Sequence, residues 1–313
     1  MKQRKYNQRG KESPTEKPEL PAEHRGEQKV ERLQKIMATA GLGSRRMLEK
    51  RIKDGEVLVN SQPATLGQTA SAGDQISFEG KQFKVVDLAG AQRSLVYNKP
   101  TGEVTTRSDP QGRPTVFDRL PNIQGARWIA VGRLDINTSG LLLMTTDGEL
   151  ANAMMHPSNQ VDREYACRIF GEVDAEKLAN LKKGVMLEDG LAQFSDIQAA
   201  GGDESNRWYH VTLLEGRNRE VRRLWASQDV MVSRLKRVRY GAVFLPKRLR
   251  MGEWSELSSH DHQTLREDVG LGPAPVQLAL KPEKNLRESD RRSAYKKTGP
   301  RKKPTRYKNV DRK

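Results

Sequence analysis

One cysteine in 313 residues, Cys167, rules out an internal disulfide framework and a cysteine-built metal site. No apolar run approaches the roughly 20 residues that a membrane-crossing helix needs. The first residues are charged and lack an apolar signal region. The expectation is a protein of the reducing cytoplasm, with no membrane partner. Aromatic residues make up only 5% of the chain and hydrophobic residues 35%, against 31% charged. Such a chain can build a core, but not along its whole length. His260-Asp261-His262 brings two imidazoles together, yet no further ligand follows at metal-binding spacing, so no metal is expected.

What the chain does have is positive charge, +16 in all, and it is unevenly placed. Residues 1–30 contribute +3 and residues 281–313 contribute +10, leaving +3 for the 250 residues between them. Basic tails of this kind bind polyanions through phosphate contacts, or serve as solvating segments. Residues 1–30 lack apolar periodicity and hold three prolines, Pro14, Pro18 and Pro21. Both 1–30 and 275–313 are expected to be disordered and basic.

Between the tails the pattern divides in two. At 31–88, Leu33, Ile36, Met37 and Ala40 follow a helical period that Gly41 and Gly43 break. Ser44 can cap a second helix through Leu48 and Ile52, ended by Gly55. Short alternating runs follow at Val57/Val59 and Ile76/Phe78. At 93–258 a larger α+β unit is expected. Its strands are placed at 95–97, 128–131, 140–145, 165–170, 208–214 and 238–244, and its helices at 148–155, 175–182 and 218–227, with Asp147 and Asp174 as caps. Strands and helices do not alternate regularly. That excludes a doubly wound parallel sheet and leaves a mixed, largely antiparallel one.

Two stretches carry chemistry. Ser44-Arg45-Arg46 sets two guanidinium groups at a helix start, an arrangement suited to phosphate, although a solvated basic face reads the same way. Gly132 to Leu150, GRLDINTSGLLLMTTDGEL, places Asp135 in a polar turn between two apolar strands. A loop carboxylate on a rigid scaffold is a common active-site design. A carboxylate that merely caps the Asn137-Thr138-Ser139 turn is the other reading.

The residues from Ala38 to Arg46 and from Gly55 to Asn60 resemble the RNA-binding domain named after ribosomal protein S4. The Gly132–Leu150 run resembles the central motif of the S4-linked pseudouridine synthases. Asn98-Lys99-Pro100, Arg163-Glu164-Tyr165 and Glu215 to Leu224 are similar to that family's other motifs, so the likeness covers about 31–258. The run Asp109 to Pro121 is similar to the branch that modifies large-subunit rRNA at uridine 2605.

The resemblance implies an α+β pseudouridine synthase behind a small S4-like domain, cofactor-free and acting as a monomer on a large-subunit rRNA stem-loop or an assembling ribosomal subunit. It implies Asp135 as nucleophile, Tyr165 stacking on the target base, and Arg222 as the cation paired with Asp135. Arg222 also sits at the border of an apolar face (Val221, Leu224, Trp225) on the expected 218–227 helix. Arg133 is assigned to the space left by the extruded base. Lys99 is assigned to the floor of the site, an exposed turn lysine being its other reading. Arg219 and Arg223 are assigned to phosphate or solvent, and Ser44, Arg45 and Arg46 to RNA. A non-enzymatic RNA-binding or assembly protein would explain the small unit and the tails, but not Asp135 with Arg222. A sister synthase with another RNA target would share all of them.

Overall fold

A computed structural model describes residues 29–88, 92–123, 125–203 and 206–283. Most of the two expected disordered tails, 1–28 and 284–313, lies outside these residues.

The small unit contains β1 (Val30–Arg32), α1 (Leu33–Thr39), α2 (Arg45–Lys53), β2 (Val57–Val59), β3 (Gln62–Pro63), β4 (Thr69–Ser71), β5 (Gln75–Phe78) and β6 (Lys81–Leu88). Leu33, Ile36 and Met37 on α1 pack against Leu48 and Ile52 on α2, above Val57, Ile76 and Phe78 of the strands. The helical spacing of the apolar residues is what gives both helices a buried face. Ser44 caps α2, its Oγ accepting from the Met47 N–H at 3.2 Å. Asn60 and Ser61, with φ of 50° and 68°, supply the left-handed pair that a two-residue hairpin between β2 and β3 needs.

The remaining strands and helices are β7 (Ser94–Lys99), β8 (Ile129–Val131), β9 (Ser139–Thr145), α3 (Gly148–Met155), β10 (Arg163–Phe170), α4 (Ala175–Lys183), β11 (Val185–Leu187), β12 (Gly190–Ala192), β13 (Asp196–Gly202), β14 (Asn206–Leu213), α5 (Glu220–Ala226), β15 (Met231–Tyr240), β16 (Val243–Phe244), β17 (Trp254–Glu256), α6 (Ser259–Asp268) and β18 (Gln277–Pro282). The large sheet runs β13-β14-β10-β15-β9-β7-β17, with β16 beside β15 and β8 beside β9. Every pairing in it is antiparallel except β15 with β9. The sheet is therefore mixed and largely antiparallel.

Two sequence expectations need correction. The basic tail was placed from 275, but β18 pairs with β6 and buries Leu278 and Leu280 in the core of the small unit. Four buried residues, Gln277 to Leu280, three of them apolar, are enough for a strand once β6 offers an edge. The small unit is thus completed by chain that follows the large one. Likewise Val30 belongs to β1, paired with Ser71, and not to the N-terminal tail.

The single parallel join positions the site. β9 meets β15 at Ser139 with Lys236 and at Gly140 with Arg237. A Cβ on Gly140 would stand 2.2 Å from the Arg237 carbonyl oxygen, and Gly140 has φ of +100°, so this close approach requires glycine. It brings the turn that precedes β9 beside the strand pair β10–β15.

Candidate active site

Asp135 lies in the loop from β8 to β9, and that loop is held from below. The Thr138 N–H donates to the Asp135 carbonyl at 3.0 Å, and the Gly102 N–H donates to the Ile136 carbonyl at 2.8 Å. Thr105 Oγ1 donates to the Leu134 carbonyl at 3.0 Å. Beneath them lies Lys99 at the end of β7, completely buried. Its Nζ donates to the carbonyls of Pro100 (2.9 Å), Asp135 (3.1 Å) and Thr138 (3.0 Å). Three acceptors use all three ammonium protons. Burial pushes this lysine down to about 8, against the opposing pull of the Glu103 and Asp135 charges. The floor reading of Lys99 is therefore the observed one. The side chain lies under the turn and does not line the cleft, so it is neither an exposed turn lysine nor a substrate contact.

With its backbone fixed, Asp135 turns a partly exposed carboxylate into a cleft of about 860 Å³. Arg133, Tyr165, Leu235 and Arg219 share the cleft wall with it. Tyr165 is only 9% exposed, and the β10–β15 register shifts by a bulge between Glu164 and Tyr165. The extra residue is Val238 on β15, opposite Tyr165, and bulges are common beside active sites.

The cation beside Asp135 is Arg219, with Nη1 3.8 Å from Oδ2, whereas the expected partner was Arg222. Arg222 instead donates from Nη2 to the Asn137 carbonyl (3.1 Å) and from Nη1 to the Val232 carbonyl (2.9 Å). Burial lowers its basicity; the nearby Arg219 charge adds to this and the Asp135 charge opposes it. Arg222 thus feels Asp135 through space and ties the far side of its turn to β15. The expectation assumed a helix from 218. The helix begins at Glu220, and Arg219 stands just before it in the left-handed region (φ 49°), so Arg219 leaves the helical stripe and faces Asp135. Arg223 was assigned to phosphate or solvent, but it holds Asp189 through two bonds of 2.8 Å.

Glu220 escaped the sequence reading. It is a second carboxyl in the cleft wall, 4% exposed, accepting the Arg217 N–H at 3.0 Å. Burial raises its pKa. The motif that drew attention to the arginines contains it, and its place beside Val221 on the inner face of α5 was the available signal. Thr105 carried no signal of its own. Ser44, Arg45 and Arg46 lie on the small unit at the start of α2, where the Ser44 hydroxyl is already engaged as a cap. His262, half of the imidazole pair, is buried with Nδ1 2.8 Å from Ser94 Oγ. Among the described residues no group of three potential metal ligands comes together, and no helix is long and apolar enough to cross a membrane.

The sequence and the fold are similar to those of known proteins. The family model for RNA pseudouridylate synthase matches residues 93–227, and that for the S4 domain matches residues 31–76. The chain is 56% identical over 248 residues to ribosomal large subunit pseudouridine synthase B of Pseudomonas aeruginosa, covering 79% of this chain and 64% of that one. It is 54% identical over 273 residues to the protein of the same name from Haemophilus influenzae, covering 85% and 75%. The counterpart from Salmonella typhi is 56% identical over 246 residues, covering 78% and 84%. The chain spans less than two thirds of several of these relatives, 64% in Pseudomonas aeruginosa and 56% in Xylella fastidiosa. A crystal structure of pseudouridylate synthase superposes with a TM-score of 0.52 at 26% identity, covering 75% of this chain and 99% of that one. With an S4 domain ahead of its synthase domain, the chain belongs to the RNA pseudouridylate synthase family.

Proposed function

We propose that this protein converts a uridine of large-subunit rRNA to pseudouridine, with Asp135 as the nucleophile. The observation that carries this reading is the Asp135 carboxylate itself. It opens into a cleft beside Tyr165 and Arg219, on a turn held by Lys99, Thr105 and Arg222.

The reaction is an isomerisation. The N1–C1′ bond breaks, the uracil turns, and a C5–C1′ bond forms; C5 loses a proton and N1 gains one. Atoms and electrons balance without redox partner or water, so one well-placed carboxylate can serve as the covalent catalyst and no cofactor enters the reading. Arg219 sets a positive charge 3.8 Å from that carboxylate, on the wall that the nucleotide would close off from water. Tyr165 offers a ring face to a flipped base, and Arg133, exposed on the rim, is placed to occupy the vacated stack.

The target we propose is uridine 2605 of 23S rRNA, on the sequence likeness of the Asp109–Pro121 run and on the names of the relatives. Mapping pseudouridine across rRNA treated with the purified protein tests both levels. Conversion of one 23S uridine supports the activity, and its position decides the target. An unmodified RNA that is nonetheless bound would leave a binding protein and remove the enzyme.

A further inference from the structure

Most arginines of the large unit with a fixed guanidinium have a carboxylate beside it: Arg93 with Glu256, Arg113 with Asp109, Arg119 with Glu103, Arg223 with Asp189, and Arg239 with Asp162 and Glu164. Arg107 and Arg127 lack one among the described residues, as Arg163, Arg222 and Arg237 do, and they are set apart by the Arg45 charge that the small unit brings beside Arg127. Both are held in place. Arg107 lies over the Phe117 ring, 4.4 Å from its centre, and its Nη2 donates to the Trp128 carbonyl. Arg127 reaches across to the small unit, and its Nη1 donates to the Gly43 carbonyl at 3.3 Å. That carbonyl belongs to the turn just before Ser44, so Arg127 arrives beside Arg45, the first residue of α2. The Arg45 side chain has no hydrogen bond or ion pair among the described residues.

Like charges brought together from two domains repel. Arg127 shows it: burial lowers its basicity, and the Arg107 and Arg45 charges lower it further. A fold that fixes two of these groups with carbonyl bonds and a ring, and supplies no carboxylate, leaves an anion to be provided from outside. The position says which anion. Arg107 and Arg127 sit two and three residues from Thr105 and Ala130, which line the cleft. Arg127 bonds the small unit and Arg107 bonds the carbonyl of the next residue, Trp128, so the cluster stands at the junction of the two units, on chain segments that lead into the cleft.

We propose that Arg45, Arg107 and Arg127 form one phosphodiester site at the junction of the two domains, clamping the RNA strand between the S4 domain and the active-site cleft. This rests on the RNA-modifying function proposed above. Planar guanidinium groups suit phosphate oxygens, and backbone contacts of this kind fix register without reading sequence. Arg127 then has a double role: it docks the S4 domain through Gly43, and it shares a phosphate with Arg45 across the same junction.

The test uses the full chain and a large-subunit rRNA stem-loop, with binding measured across a salt series and conversion measured at saturating RNA. Arg45→Gln, Arg107→Gln and Arg127→Gln should each weaken binding about three- to tenfold and reduce the salt slope by about one phosphate contact or less. Conversion at saturating RNA should fall less than binding does. Because Arg45 and Arg127 would share a ligand, the double variant should lose less than the product of the single losses. Arg207→Gln, at an exposed arginine on β14, serves as the control. Arg45 has no protein partner to lose, so Arg45→Gln remains informative should Arg127→Gln unfold. Wild-type slope and affinity in both Arg45→Gln and Arg107→Gln overturn the site, even if the wild-type protein makes pseudouridine. Loss of slope in these variants, with no pseudouridine made by the wild type, keeps the site and removes the enzymatic reading.

Discussion

The Lys99 ammonium sits beneath the Asp135 turn and donates to the Asp135 carbonyl at 3.1 Å and the Thr138 carbonyl at 3.0 Å. A buried cation is costly unless its protons are satisfied, and here the acceptors are the backbone of the turn that presents the carboxylate. Lys99→Met removes that support while keeping the volume. Turnover should fall about 100-fold, the scale expected when a reacting group shifts by about 1 Å. Single-turnover kinetics on a saturating stem-loop reads the effect, and a Met variant of wild-type rate would show that the turn holds itself.

The same burial gives a pH signature. Lys99 is lowered to about 8 from 10.5. Between these values the unfolded chain binds more protons at this residue than the folded chain does. The group therefore adds stability as pH rises from 8 toward 10.5, and withdraws it as pH falls back through 8. Tyr97, raised by burial and by its bond to Glu103, acts in the opposite sense only above its ordinary value of 10.0. Over pH 8 to 9.5, the melting temperature of the wild type relative to Lys99→Met should climb. Turnover should move the other way, because a neutral amine has two N–H groups for three carbonyls. A relative melting temperature that drops over this range contradicts the burial argument.

Arg219 and Arg222 should separate by what each variant loses. Arg219→Met removes the charge nearest Asp135 from a half-exposed position, so turnover should drop about tenfold or more with little change in melting temperature. Arg222→Met strips donors from the Asn137 and Val232 carbonyls, and should lower turnover together with stability, by about 1–3 kcal/mol. Denaturant titration alongside kinetics distinguishes them, and the reverse pattern would restore Arg222 as the direct partner.

Arg223 and Asp189 should behave as a pair. Arg223→Leu and Asp189→Asn each break the same bidentate contact at a solvent-screened site, so each should leave the melting temperature nearly unchanged. The double variant should match the singles. Equal RNA affinity in all three fits a structural pair, while a clear affinity loss confined to Arg223→Leu would return this arginine to the RNA.

The sequence made the Asp135 turn legible because local rules govern it: two apolar strands, a polar turn, and Asp147 capping α3 through the Glu149 and Leu150 N–H groups. It misjudged features set by distant chain. β18 is a strand only because β6 offers an edge far back in the sequence, and Arg223 meets Asp189 only because the β11–β12 hairpin folds beside α5. The exchange of Arg219 for Arg222 came from two residues at a helix start, where periodicity is weakest and one left-handed residue redirects a side chain. Lys99 was ambiguous for a related reason: nothing local tells a lysine before proline that three carbonyls will close over it.

Gly140→Ala tests the β9–β15 join. The added methyl meets the Arg237 carbonyl oxygen at 2.2 Å and the backbone is held at φ +100°, so the cost should exceed about 3 kcal/mol. Soluble expression with a wild-type melting temperature would mean that the two strands part without consequence.

The central claim is that the Asp135 carboxylate is the nucleophile. Its most direct test is pseudouridine formation in a 23S stem-loop by purified wild-type and Asp135→Asn protein, with RNA affinity measured on the same samples. The substitution keeps shape and removes the anion, while affinity rests mainly on phosphate contacts. The account predicts one converted uridine for the wild type, and none for Asp135→Asn at an affinity within about threefold of wild type. Conversion by Asp135→Asn at the wild-type rate would contradict it.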